Sequence, residues 1–320
     1  MTERKTCPLI SVVMPVFNEA AALKRIVSEV AEALRDRAFE VLLVDDGSTD
    51  TSWEVITELS QSVPQVRGLR FTRNFGHQAA LMAGIDAARG DAVVMMDSDG
   101  EHPPELIPEL IRKWEAGAAV VQGVRAESRQ AGFLKRTSSR VFYRVFALLT
   151  GITAPPGSAD FRLLARPVVE LLKRHAGSVL FLRGLIPWLG FETEYVHYEP
   201  GRRLGGEVKY GFSRMLSLAA SGIGSFTTFP LQLSVWVGAF VSLISFLYLL
   251  YAIIIKLSTS MVVPGWTSLI ALVALLGGVQ LVVLGLVGLY VGRIFFAQLN
   301  RPLYVVAKTI DSTSDGPGAQ

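Results

Sequence analysis

The sequence predicts an α/β domain built on a mainly parallel sheet, followed by two membrane-spanning helices. Three observations carry this. Strand-like and helix-like segments alternate from Leu9 to Val124. The strands among them are continuously apolar, as strands covered by helices on both faces are. Two long segments, between Arg214 and Lys256 and between Lys256 and Arg293, hold no charged residue. At 320 residues, 50% of them hydrophobic, the chain can bury one large core or two smaller ones. Its mean hydropathy of +0.39 is high for a soluble protein because the excess is concentrated in those two segments.

The elements follow in order. Leu9–Phe17 reads as a strand ending at Asn18, a helix-capping residue type, and Glu19–Arg35 as an amphipathic helix. Glu40–Val44 is a second strand that closes in DDGSTD, where Asp50 can cap a helix carrying Trp53, Val55, Ile56 and Leu59. Val66–Phe71 is a third strand and Gln78–Ala88 a third helix. Ala92–Met96, Glu105–Trp114 and Ala118–Gly123 give a strand, a helix opened by Pro103 and Pro104, and a fifth strand. Further on, Ser158–Ala165 reads as a strand, Pro167–His175 as a helix and Phe191–Glu199 as a strand.

In such sheets ligands bind beyond the carboxyl ends of the strands. Pro15 to Glu19, Asp45 to Asp50, Arg73 to His77 and Asp97 to Glu101 all fall there, on one edge. The last is the most informative. Alternate residues of an extended segment point the same way, so Asp97, Asp99 and Glu101 can converge. Three such oxygens suit a hard divalent cation, Mg²⁺ or Mn²⁺. Each motif taken singly has a plainer reading, as a turn or a helix cap; four polar ends on one edge are harder to explain that way.

After Gly123 the composition turns basic. Arg136, Arg140 and Arg144 recur every fourth residue, with Phe133, Phe142, Val145, Phe146 and Leu149 on the same segment. A basic amphipathic helix over about 131–150 that lies on a membrane surface fits this, as does a helix packed on the domain with solvated arginines. Nucleic acid is disfavoured by the spans that follow. GRRLGGEVKYG places Arg202, Arg203, Lys209 and Tyr210 on a glycine-rich loop whose cations suit phosphate or, in the plainer reading, lipid headgroups. A second amphipathic segment, about 208–229, leads into the spans.

The spans are Leu231–Ile255 and Ser268–Val291, each long enough at ~1.5 Å per residue to cross a ~30 Å hydrocarbon layer. Arg202, Arg203, Lys209 and Arg214 precede them and Arg293, Arg301 and Lys308 follow, which places both termini in the cytoplasm. The expected organisation is a cytosolic catalytic domain over 1–228, a transmembrane hairpin over 229–293 and a cytosolic tail over 294–320. Gly278, Gly285, Gly288 and Gly292 line the second span and permit close packing, on the first span or between copies in a homo-oligomer. No signal peptide is read at the N-terminus. The single Cys7 excludes an internal disulfide, and the net charge of +3 says little about partners.

A metal loop and a basic loop beside a membrane suggest transfer from a nucleotide-activated donor to a lipid. VVMPVFNE, VDDGSTD, RNFGHQAAL, DSDGEHPPE, ADFRLL and RRLGGEVKY, followed by two spans, resemble the family 2 glycosyltransferases that make polyprenyl-phosphate sugars. This type includes dolichol-phosphate mannose synthase and bacterial undecaprenyl-phosphate glucosyltransferases. The resemblance runs from Leu9 to about Val306 and implies a GT-A fold, a divalent metal and an inverting single displacement. It implies that Asp46 contacts the nucleotide base or ribose, with Pro15, Glu19, Arg73 and Ser98 in the donor site. Asp97, Asp99 and Glu101 match its D-x-D-x-Q metal loop, with Glu in place of Gln. Arg125, Lys135 or Arg136, Arg203 and Lys209 are its candidates for the acceptor phosphate. Asp160 matches the aspartate of G-DFR, although Ala159 replaces the glycine.

With an ionised phosphate as nucleophile no strong base is needed, so Asp160 is expected to orient sugar or cations. UDP-glucose is the first choice of donor, because GRIFFAQLNRPLYVV resembles the ending of glucosyl transferases that feed surface-glycan modification. GDP-mannose and UDP-linked aminoarabinose, N-acetylhexosamine or galacturonate stay open. A processive polysaccharide synthase needs Q-x-x-R-W, where this chain has FLRGLIPWLG. A non-catalytic nucleotide-sensing membrane scaffold is the remaining rival class.

Overall fold

The structure, a computed structural model, describes residues 8–126, 155, 157–175, 182–199, 201, 229–258, 265–299 and 301–311. The chain divides into two compact units, Met1–Arg214 with Pro302–Gln320, and Met215–Arg301. The expected interfacial helices at 131–150 and 208–229 lie outside the described residues, the start of the first long apolar helix excepted. So do Lys135, Arg136, Arg203 and Lys209.

The first unit alternates as its sequence predicts: β1 (Ile10–Val16), α1 (Ala20–Ala33), β2 (Phe39–Asp45), α2 (Ser52–Ser62), β3 (Val66–Phe71), α3 (His77–Ala87) and β4 (Ala92–Met95). A 3₁₀ turn at Pro104–Leu106 then runs into α4 (Ile107–Glu115), followed by β5 (Val120–Arg125), β6 (Ser158–Ala165), α5 (Arg166–His175), α6 (Leu182–Trp188) and β7 (Thr193–Tyr198). After the apolar helices comes β8 (Val306–Ile310). One sheet holds all eight strands in the order β7-β5-β6-β4-β1-β2-β3-β8.

β1 pairs in parallel with both β2 and β4, so the order reverses at β1 and opens a crevice between the carboxyl ends of β1 and β4. β6 is antiparallel to both of its neighbours, β4 and β5. Its first residues, Ser158–Asp160, therefore arrive at the edge where β4 ends. This is the expected mainly parallel α/β sheet.

Alternate strand residues feed opposite faces. Ile10, Val12, Met14 and Val16 of β1 join Leu23, Ile26, Val30, Ile56 and Ile111 in one core. Val44, Leu69 and Phe71 pack with Ala79, Ala80 and Ala83 of α3 on the other face. There α3 lies so close that a Cβ at Gly84 would overlap the Val13 side chain. A strand at Val306–Ile310 falls within the expected tail over 294–320, where no element was expected. It is mostly exposed, and it is held by antiparallel pairing to β3, by Tyr304 stacked on Phe71 at 5.1 Å, and by Asp311 against Arg67 and Arg89 at 3.2 and 2.6 Å. Arg67 in turn meets the buried Glu40 at 2.7 Å.

The second unit is two helices, α7 (Phe229–Ser258) and α8 (Trp266–Gln298). Their most apolar windows, Leu231–Tyr248 and Leu275–Gly292, have mean hydropathies of 1.7 and 2.1, and none of the described residues in either is buried. Trp236, Leu281 and Val282 are 75%, 72% and 73% exposed, which suits lipid and not a water-soluble core. By length and composition these are two candidate membrane spans, which suggests membrane association. A Cβ at Gly278, Gly285, Gly288 or Gly292 would meet no atom within 4 Å, so among the described residues this row does not hold α7 against α8.

Gly84→Ala is expected to cost about 1–3 kcal/mol through overpacking against β1. Val13→Ala in the same chain should restore part of that loss, read as the shift in thermal unfolding of the detergent-solubilised protein. Absence of rescue would place the strain elsewhere.

Candidate active site

The loops after β1 and β2 are built as one piece. Asn18, at φ 57°, does not cap α1 as expected. Its Oδ1 accepts from Thr49 N–H at 2.9 Å and Asp50 N–H at 3.3 Å, and its own N–H donates to Ser48 Oγ at 3.0 Å. Asp50 accepts from Ser52 N–H at 3.0 Å, at the start of α2, and also from Ala20 N–H at 3.3 Å, at the start of α1. Glu19 N–H donates to Ser52 Oγ at 3.0 Å. Each helix start is thus satisfied partly by the neighbouring loop.

The loop after β3 is docked onto the same piece. Asp46, 3% exposed, accepts from Phe75 N–H at 2.7 Å and Gly76 N–H at 2.9 Å. Burial pushes its carboxyl up, against the downward pull of those two N–H groups. Gly47, at φ 71°, lies so near the Arg73–Asn74 backbone that a Cβ would stand 2.6 Å from the Arg73 carbonyl carbon. Arg73 is exposed, its guanidinium 4.1 Å over the Phe75 ring.

The loop after β4 is pinned from three sides. Ser98 Oγ–H donates to the Pro15 carbonyl at 2.7 Å, tying it to β1 across the crevice. Asp97 N–H donates to His102 Nδ1 at 2.8 Å, so the ring proton is on Nε2, 3.6 Å from Asp97 Oδ2. The His102 ring is buried and stacked on Phe161 at 5.1 Å. Gly201 N–H donates to the Glu101 carbonyl at 3.1 Å.

Asp97, Asp99 and Glu101 share this loop, but among the described residues no three His, Cys, Asp or Glu side chains are gathered for a metal ion. Glu101 instead meets Arg125 at 3.1 Å, and Asp99 Oδ1 accepts from Glu101 N–H at 2.9 Å. Asp97 Oδ1 is buried and has no hydrogen-bond partner among the described residues. A hard cation bound there would satisfy that oxygen.

Beside Asp97 stands a cluster that only Asp160 of the expected site residues foreshadowed. Asp160, 1% exposed, is contacted by Arg162 Nη2 at 3.2 Å, by Arg183 Nη2 at 2.8 Å and Nε at 3.1 Å, and by Gln78 Nε2 at 3.4 Å. His77 Nε2 lies 3.3 Å from Asp160 Oδ2 and 3.5 Å from Asp97 Oδ1. Burial would raise the Asp160 pKa, but His77, Arg183 and Arg162 outweigh it and hold the carboxyl well below the usual carboxylate range. Burial likewise lowers His77, but its hydrogen bond to Asp160 and the charges of Asp97 and Asp160 leave it raised overall. Burial pushes Arg162 down to about 10, still charged at neutral pH. Arg162 follows Asp160 by two residues in a strand, so both point to one face; that spacing was the available sequence signal. Nothing local links Arg183 or His77 to Asp160.

A family model described as Glycosyl transferase family 2 matches residues 11–172. Among curated proteins, one named uncharacterized glycosyltransferase YkcC, of Bacillus subtilis, is 40% identical over 301 residues, 93% of this chain and 93% of that protein. The SfII prophage-derived bactoprenol glucosyl transferase of Shigella flexneri is 40% identical over 302 residues, covering 94% of this chain and 98% of that one. A prophage bactoprenol glucosyl transferase homolog of Escherichia coli K12 is 36% identical over 93% of this chain and 98% of its own length.

A raised folded pKa means that the stability His77 adds is complete below its unfolded value of ~6.5 and disappears as pH rises through the folded one. His77→Gln should therefore cost more thermal stability at about pH 6 than at about pH 9, measured with chelator present. Equal losses at both would show that the imidazole does not bridge the two carboxylates as a cation.

Proposed function

The chain belongs to glycosyl transferase family 2 and is a glycosyltransferase, and from that premise we propose that it transfers glucose from UDP-glucose to a polyprenyl phosphate at the cytoplasmic face of a membrane. The observation that carries the reading is a juxtaposition. A buried Asp97 oxygen lacking a hydrogen-bond partner stands one imidazole away from a carboxylate ringed by guanidinium groups, at the crevice where β1 and β4 end. That pairs an acidic site suited to a metal with a basic site suited to a phosphate. The relatives named bactoprenol glucosyl transferases, aligned over nearly all of their length, support the sugar and the polyprenyl acceptor.

Pro15, Glu19, Asp46, Arg73 and Ser98 surround the donor side at the ends of β1 to β4. Asp97 and Asp99 would hold Mg²⁺ or Mn²⁺, with Glu101, which faces Arg125, the least suited of the three. The metal, when bound, supplies Lewis-acid charge to the donor diphosphate. Arg125, together with Lys135 or Arg136, Arg203 and Lys209, would hold the acceptor phosphate. An ionised phosphate oxygen attacks C1 of the sugar, the bond from C1 to the diphosphate oxygen breaks, and the nucleoside diphosphate leaves with its electron pair as C1 inverts. The second pKa of a phosphate monoester is ~6, so no proton need pass to the protein. Asp160, kept ionised with its oxygens engaged, orients cations and is poorly suited to take a proton.

Strand order bears on topology. β7 precedes the apolar hairpin and β8 follows it, yet both belong to one sheet. A membrane hairpin that returns the chain to the side it left is consistent with this, and the basic flanks favour the cytoplasm for both ends. The glycine row of α8 would permit close packing, on α7 or between copies of the chain.

Membranes containing the protein, given labelled UDP-glucose, polyprenyl phosphate and Mg²⁺ or Mn²⁺, should move label into the lipid phase. Asp99→Ala or chelation should reduce this about 100-fold or more. Larger transfer from GDP-mannose or another UDP-sugar would overturn the donor while leaving the reaction class standing. Nucleotide binding without any transfer would overturn the reaction. Asp160→Asn strands the buried Arg162 and should cost about 3–5 kcal/mol of stability. If it instead abolishes turnover with both ligands still bound and removes one limb of the pH profile, Asp160 is a base.

A further inference from the structure

We propose that His102 is a positioning residue for Asp97, holding one carboxylate oxygen so that the other is presented to the cation, an assignment that rests on the metal-dependent reaction proposed above. It begins where the sheet runs out. Met96 N–H still bonds to β1, donating to the Val13 carbonyl at 3.1 Å. The next amide, that of Asp97, donates to His102 Nδ1 at 2.8 Å. A backbone N–H at the end of a buried strand needs a partner, and an asparagine would supply one as well as a histidine does. What an imidazole adds is its second nitrogen. With Nδ1 accepting, Nε2 carries the ring proton, and it lies 3.6 Å from Asp97 Oδ2. That is an electrostatic contact, longer than a hydrogen bond. Both nitrogens of one ring thus address one residue, its amide and its carboxylate.

The ring is also fixed. Its side chain is 4% exposed, against 42% for His77, another imidazole beside Asp97. It stacks on Phe161 at 5.1 Å with 16° between the planes, and the Tyr198 ring meets it edge-on at 6.0 Å. Phe161 and Tyr198 are themselves buried and in edge contact at 5.6 Å. Gly123 of β5 leaves room for them, since a Cβ there would stand 2.9 Å from Phe161 Cδ1 and 3.3 Å from Tyr198 Cε1. Successive residues of a strand point to opposite faces. β6 therefore sends Asp160 into the charged cluster and the next residue, Phe161, under the His102 ring. A ring locked by packing keeps its N–H in one direction.

The two oxygens of Asp97 are thereby made unequal. Oδ2 faces the Nε2–H of His102. Oδ1 is buried and has no hydrogen-bond partner among the described residues, with His77 Nε2 3.5 Å away. Carboxylates that bind metal ions are themselves held by outer partners, and loss of such a partner weakens metal binding. His102 is such a partner for Asp97, on the side opposite the oxygen left for the cation.

The test uses the full chain in detergent and reads Mn²⁺ binding from the electron paramagnetic resonance of the free ion, with and without UDP. Thermal unfolding in chelator shows which variants fold. His102→Asn keeps an oxygen that can accept from the Asp97 amide but has no donor at the reach of Nε2. It should bind Mn²⁺ about 10- to 100-fold more weakly than wild type. His102→Gln and His102→Met form a second pair of similar size, of which only Gln can put an N–H where Nε2 stands. Gln should bind Mn²⁺ about 10-fold more tightly than Met, and this pair decides if the Asn variant does not fold. Wild-type affinity in the Asn variant, or equal affinities in Gln and Met, would overturn the assignment and leave His102 as a cap on a loop amide. A wild-type protein that takes up no Mn²⁺ would overturn the metal reading itself, and the assignment with it.

Discussion

A carboxylate with almost no access to water, Asp160, sits at the sheet edge where β4 ends, and much of the site follows from keeping it charged. An ionised group at such a position is costly unless it is paired and hydrogen-bonded. Asp160 draws its partners from three places: Arg162 on its own strand, Arg183 on α6, and His77 with Gln78 at the start of α3. Satisfying one charge therefore fixes the relative positions of β6, α6 and α3. Through His77 the same constraint reaches Asp97, so the acidic loop and the basic cluster are set against each other by a single imidazole.

The other strand ends show the same economy on a smaller scale. Asp50 serves the first turns of two helices, Asn18 serves the neighbouring loop, and Asp46 holds the loop after β3. Residues whose types suggest local caps act between loops instead. The crevice at β1 and β4 is consequently lined by backbone already hydrogen-bonded to side chains, a rigid frame for ligands that carry several charges.

Much of the sheet was legible because its signal is local. Continuous apolar strands, amphipathic helices and polar ends read directly, and β1 to β5 fall within a few residues of expectation. The edge carrying Asp97 followed from strand direction alone. Arg183 and α6 were not legible, and His77 was legible only as part of the polar strand end Arg73 to His77, because the pairing with Asp160 joins residues far apart and FLRGLIPW shows no helical period to announce a helix. Glu101 illustrates the converse: alternation put it with Asp97 and Asp99, but among the described residues the three side chains are not gathered, and Glu101 pairs with Arg125 from another strand. β8 was missed for a third reason. Val306, Lys308 and Ile310 alternate too briefly, on a mostly exposed strand, for burial to leave a pattern.

That last strand also sets an order of events. A ribosome delivers β3 early and β8 only after both apolar helices, so two strands that pair in the finished sheet are made far apart in time; the Arg89–Asp311 contact spans 222 residues. Until then the outer edge of β3 offers unpaired N–H and C=O groups, the kind of edge that recruits other chains. Hydrogen-bonded completion of the sheet thus waits for synthesis of the two apolar helices, and the C-terminal segment is the closing seam that covers the β3 edge last.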